Sequence, residues 1–117
     1  MPHFGADGIL KPEQIQQVAD YVTTLFGKGE AGKDVSAGKQ IFADNCAVCH
    51  GEAGQGTREL GAPKLASRVH LNAGDRASIV SQVTLPRMGV MPNWNTRLDE
   101  ATVKSVALYV HSFGGGE

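Results

Sequence analysis

Three residues that could hold a metal or a cofactor stand together in Asn-Cys-Ala-Val-Cys-His-Gly, residues 45–51. Cys46 and Cys49 are the two cysteines of the chain, and His50 follows directly. Three chemistries use such a trio. A redox-active dithiol sets two thiols one turn apart, but it wants a strand before the motif and a helix after it. Here a helix-like segment precedes the motif and a Gly-rich run, Gly-Glu-Ala-Gly-Gln-Gly, follows it. A structural zinc takes four ligands, and no second Cys-x-x-Cys or His-x-x-x-His completes the set. Covalent haem c has Cys-x-x-Cys-His as its attachment signature. Two thiols one turn apart add to the two vinyl groups, and the next residue sets an imidazole below the iron. The motif uses every cysteine present. Haem c is therefore the favoured reading, with the dithiol and zinc as alternatives.

A haem iron that carries electrons commonly has His and Met as its axial pair, and the thioether raises the potential. Met88 and Met91 follow the motif, in Leu-Pro-Arg-Met-Gly-Val-Met-Pro-Asn-Trp. Pro92 fixes its own φ and biases Met91 toward an extended backbone. An extended segment can lay a thioether across the open haem face. Met91 is the expected ligand, and Met88 the alternative, otherwise a packing residue near the haem edge. His70 is a further alternative, while His3 and His111 lie outside the central segment. Trp94 could meet the haem edge, or a propionate through its indole N–H; otherwise it packs half-buried. Arg58, Arg68, Arg76 and Arg87 could neutralise propionates, though most surface arginines face water. Lys39, Lys64 and Lys104 could ring an exposed haem edge and steer an acidic partner, a weak reading at near-zero net charge.

Short helices must position these groups. Residues 35–45 read as a helix with Ser36 as N-cap and with Ile41 and Phe42 facing inward. Residues 51–74 are rich in glycine and read as loop. Residues 75–85 read as a helix capped by Asp75 and stopped by Pro86. Residues 86–97 read as extended around the methionines, and 99–113 as a last helix with an acidic start. Gly38 would let the first of these helices approach the last one closely, near Tyr109. The expected fold is all-α: short helices around one haem, which itself supplies the core.

Composition sets the bounds. The chain has 117 residues, room for one small domain and a little more. Aromatics make up 6%, so the apolar core is thin and a cofactor would serve as its staple. Lys and Arg total 11 against 12 Asp and Glu. That balance gives no electrostatic reason to expect nucleic acid or an anionic membrane as partner. There is no apolar run of about 18 residues or more, the length a membrane helix needs, and no signal-peptide pattern.

The chain also repeats itself. Leu10 to Phe26 lines up with Leu98 to Gly114. Leu10 matches Leu98, Val18 matches Val106, Ala19 matches Ala107, Tyr21 matches Tyr109 and Val22 matches Val110. A Met-Pro pair precedes each helix, Met1-Pro2 and Met91-Pro92, and an aromatic follows each pair, Phe4 and Trp94. This order makes residues 1–27 the expected tail of a preceding cytochrome domain, 28–34 a polar linker and 35–117 a cytochrome c domain.

With Leu-Gly-Ala-Pro-Lys-Leu, Gly-Val-Met-Pro-Asn-Trp and the Gly-Gly-Gly-Glu end added to these features, the chain resembles the di-haem subunit of cbb3-type cytochrome c oxidases, the FixP or CcoP subunit. The haem motif itself is common to all c-type cytochromes; the order of the later segments is more specific. The resemblance implies a class I cytochrome c fold with one covalent haem c here. It implies a membrane-anchored subunit on the periplasmic side of the bacterial inner membrane, its anchor outside this sequence. It implies electrons received from a donor c-type cytochrome and passed to the other oxidase subunits, without catalysis in this segment. Carried over, Cys46 and Cys49 are the thioether attachments, His50 the proximal and Met91 the distal ligand. The carbonyl of Pro63 is the acceptor for the proximal imidazole N–H, a bond that orients the ring. Two other functions stay open: a soluble periplasmic shuttle cytochrome, and a haem c gas sensor or peroxidase-like domain with a labile sixth ligand.

Overall fold

The structure, a computed structural model, describes residues 1–70 and 72–114. It is all-α; among the described residues there is no strand, only an isolated bridge between Thr57 and Ala62. Helix α1 spans Pro12–Leu25, α2 Ser36–Asn45, α3 Ala47–His50, α4 Arg76–Thr84 and α5 Glu100–Ser112. A single 3-10 turn, Trp94–Thr96, precedes α5. The chain divides into two compact units, the first Met1–Arg87 and the second beginning at Met88.

In the first unit, α1 opens with Pro12, whose fixed φ suits a first turn and whose missing N–H leaves nothing unpaired there. The Gln14 side chain accepts the Lys11 N–H at 2.9 Å. Ile15, Val18, Ala19 and Val22 fall on one stripe of α1, and all four are buried. Val18, Ala19, Val22 and Phe26 join Phe42 of α2 and Ile79 of α4 in the main core. Phe4, Leu10 and Ile15 form a smaller cluster beside it. The Tyr21 and Phe42 rings pack at 5.3 Å between centroids.

Two local expectations change. Ser36 is the first helical residue of α2, not its cap. The Asp34 carboxylate accepts the Ser36 N–H at 2.9 Å, because an Asp side chain reaches a backbone N–H two residues on. Gly38 does allow a close helix approach, but the partner is α1: a methyl group at Gly38 would collide with the Gln17 carbonyl oxygen and lie 3.0 Å from Tyr21 Cβ. The stretch 28–34 is likewise stitched to its neighbours. Lys28 Nζ donates to the Gly74 carbonyl at 2.8 Å, and Lys33 Nζ lies 3.0 Å from the Asp20 carboxylate. The same carboxylate takes the Arg76 guanidinium from the start of α4.

Helix α4 is capped as the sequence suggests. Asp75 accepts the Ser78 N–H at 2.7 Å, and Ser78 Oγ accepts the Asp75 N–H at 3.1 Å. The helix stops before Pro86, which disfavours α geometry in the residue ahead of it. In the second unit, Asp99 caps α5 by accepting the Thr102 N–H at 2.9 Å. Glu100 in the first turn suits the helix dipole.

Candidate haem-attachment site

Cys46 ends α2, with its N–H bonded to the Phe42 carbonyl at 2.8 Å, and it also starts the single turn of α3. Within that turn the Cys46 carbonyl accepts from the Cys49 N–H at 3.1 Å and the His50 N–H at 2.9 Å. The two sulfurs and the imidazole thus leave one helical turn. Gly51, with φ of 77°, terminates it in a conformation that a side chain would disfavour. Both cysteines are half-buried, and Cys46 and Ala47 pack on the main core.

The loop that follows folds back on the motif. The His50 carbonyl accepts the Gly56 N–H at 2.7 Å, and the Gly54 carbonyl accepts the N–H groups of Leu65 and Ala66 at 2.7 and 3.0 Å. The Thr57–Ala62 bridge closes the tight excursion between them. Pro63 therefore returns to the histidine, and its carbonyl oxygen lies 3.0 Å from His50 Nδ1. A carbonyl only accepts, so Nδ1 is the protonated nitrogen. The neutral ring then keeps its lone pair on Nε2, the form a metal binds.

This geometry suits a haem better than a dithiol or zinc. Burial first, and the neighbouring Cys49 second, push the Cys46 thiol up to about 11. A working dithiol needs the opposite, a thiol lowered toward neutral pH. Among the described residues no three His, Cys, Asp or Glu side chains converge as a metal cage. Two thiols and a tautomer-fixed imidazole on one turn are the donor set that a covalent haem requires.

Met91 and Trp94 belong to the second unit. Met91 is 82% exposed and Met88 74%. Trp94 stands in the 3-10 turn, with the Arg97 guanidinium 5.5 Å from its ring centre. Of the candidate propionate partners, Arg76 is already engaged by Asp20. His70 stacks on Phe26 at 3.8 Å, and its buried Nε2 has no hydrogen-bond partner among the described residues. Neither the Asp20–Arg76 pair nor the Phe26–His70 stack has a local sequence signal, because each joins residues far apart in the chain.

The family model for cytochrome c oxidase, cbb3-type, subunit III matches residues 33–110. A cbb3-type cytochrome c oxidase subunit CcoP of Cereibacter sphaeroides is 54% identical over 117 residues, covering 100% of this chain and 40% of that protein. A cbb3-type subunit FixP of Bradyrhizobium diazoefficiens is 45% identical over 115 residues, covering 97% of this chain and 40% of that protein. A CcoP subunit of Azospirillum sp. is 48% identical, covering 100% of this chain and 41% of that protein. The chain spans about two fifths of the length of these curated relatives.

Proposed function

We propose, for a chain that belongs to the cbb3-type cytochrome c oxidase subunit III family, that it transfers electrons through one covalently held haem c. The observation that carries the reading is the turn Cys46–His50 with His50 Nδ1 fixed at 3.0 Å by the Pro63 carbonyl. The haem, when bound, supplies a one-electron iron couple. Cys46 and Cys49 would hold it through thioethers. His50 would give Nε2 to the iron, its ring orientation held by Pro63. Met91 would provide a sulfur ligand, with Met88 as the alternative, and Trp94 would shield the haem edge or meet a propionate.

In this reading the chain takes electrons from a donor c-type cytochrome and delivers them to the other oxidase subunits, which carry the oxygen chemistry. It works on the periplasmic side of the bacterial inner membrane. No helix among the described residues is long and apolar enough to cross a membrane. Residues 1–27 are the tail of a preceding cytochrome domain of the same pattern, and residues 35–117 form the cytochrome c domain that would hold the haem.

Absorption spectra of the haem-loaded chain, oxidised and reduced, with and without carbon monoxide, test this. A low-spin c-type spectrum with a sulfur-to-iron charge-transfer band, unmoved by carbon monoxide, is expected. A carbon monoxide shift would expose a free sixth position and overturn the electron-carrier reading in favour of a sensor or peroxidase-like domain.

A further inference from the structure

Among the described residues, one buried side-chain nitrogen or oxygen has no hydrogen-bond partner, Nε2 of His70. Such an atom has lost its water without a replacement, and native chains keep few of them. The ring that carries it is firmly placed. It stacks on Phe26 with centroids 3.8 Å apart. Its segment is pinned at both ends: the Gly54 carbonyl accepts the Leu65 N–H at 2.7 Å, and the Gly74 carbonyl accepts from Lys28 Nζ at 2.8 Å. Leu65 and Ala73, on either side of His70, pack on the core that also receives Cys46 and Ala47, and Phe26 is part of that core. The orphaned nitrogen thus belongs to the same packed body as the first of the two thiols that would hold a haem.

A haem offers two kinds of polar partner, its iron and its two propionate carboxylates. In the function proposed above, on which this inference rests, the iron takes His50 and a methionine sulfur. The carboxylates remain, and a carboxylate beside an apolar core needs a donor. Arg76 is held by Asp20 and is not released for that task. We propose that His70, through a proton on Nε2, donates a hydrogen bond to a haem propionate and so raises the reduction potential. The sign follows from charge. An unpaired carboxylate near the iron favours the more positive ferric state, and a donor that draws off part of its charge favours the ferrous one.

In the haem-loaded chain, reduced so that low-spin iron is diamagnetic, long-range proton–nitrogen correlations are expected to show His70 protonated at Nε2. Nuclear Overhauser contacts are expected from its ring to the propionate methylenes. His70→Phe keeps an aromatic face for Phe26 and removes the donor, so its midpoint potential at neutral pH should fall. His70→Gln returns an N–H and should restore most of the loss. A bare Nε2, a ring without propionate contacts, or a His70→Phe potential equal to the wild type's overturns the inference. A bis-histidine spectrum that His70→Phe abolishes would assign His70 to the iron and overturn it equally. Thioether attachment is read separately, from the pyridine haemochrome spectrum. A chain without that attachment sinks the electron-transfer reading and this inference together, whereas an attached haem without the His70 bond sinks this inference alone.

Discussion

His50 shows how one backbone carbonyl can decide what a side chain offers. With Nδ1 held by the Pro63 oxygen at 3.0 Å, the ring is fixed in tautomer and in rotation, and Nε2 is the nitrogen left to bind. The cost of aiming the ring is met when the protein folds, not when the ligand binds. The proposed sulfur ligand is a different problem, because Met91 lies in a segment without helix or strand. Pro92 biases the Met91 backbone toward an extended form, and the side chain is 82% exposed. Met91→Ala should therefore leave covalent attachment intact while producing a high-spin or misligated iron and a lower potential. Spectra and a redox titration of the variant check this; an unchanged spectrum would move the assignment to Met88.

Among the elements, the α1–α2 crossing carries the most information about fit. Gly38 costs α2 about 0.5–1 kcal/mol in helix propensity relative to alanine, so Gly38→Ala would stabilise an isolated helix. In the folded chain the new methyl meets the Gln17 carbonyl, which is backbone and cannot swing aside. Overpacking of that kind costs about 1–3 kcal/mol. The clash outweighs the gain, and Gly38→Ala should lower the midpoint of denaturant unfolding. A raised midpoint would mean that no backbone sits against Gly38.

For the first unit as a whole, Asp20 joins α1, the 28–34 stretch and α4 through Lys33 and Arg76. The hydrogen bond from Arg76 holds this carboxyl below the usual carboxylate range; burial opposes the shift, and Lys33 adds to it. A carboxyl lowered on folding stabilises the fold above its unfolded value of about 3.9. That contribution is lost as pH falls through the lower folded value. Arg76 is 41% exposed, so solvent screening limits the pair to roughly 0.5–1 kcal/mol. Asp20→Asn should cost about that much at pH 7. It should also flatten the acid side of the stability profile below about pH 4, measured by denaturant unfolding across pH. An acid limb as steep as the wild type's would remove Asp20 from the account.

The sequence by itself determined what is local. Cys46, Cys49 and His50 are neighbours in the chain, so their gathering on one turn could be read from spacing alone. Asp75 and Pro86 bound α4 for the same reason, since caps and proline act within a few residues. The apolar repeat in α1 marked a helix that must bury one face. The tertiary structure alone decided where that face goes. Helices α1 and α5 carry nearly the same stripe, so pattern alone could not say what each would pack against. The crossing of α1 at Gly38, like the contacts of Asp20 with Arg76 and Phe26 with His70, joins residues distant in sequence. What lies within a turn of the chain was legible; what depends on two surfaces meeting was settled only when the chain closed on itself.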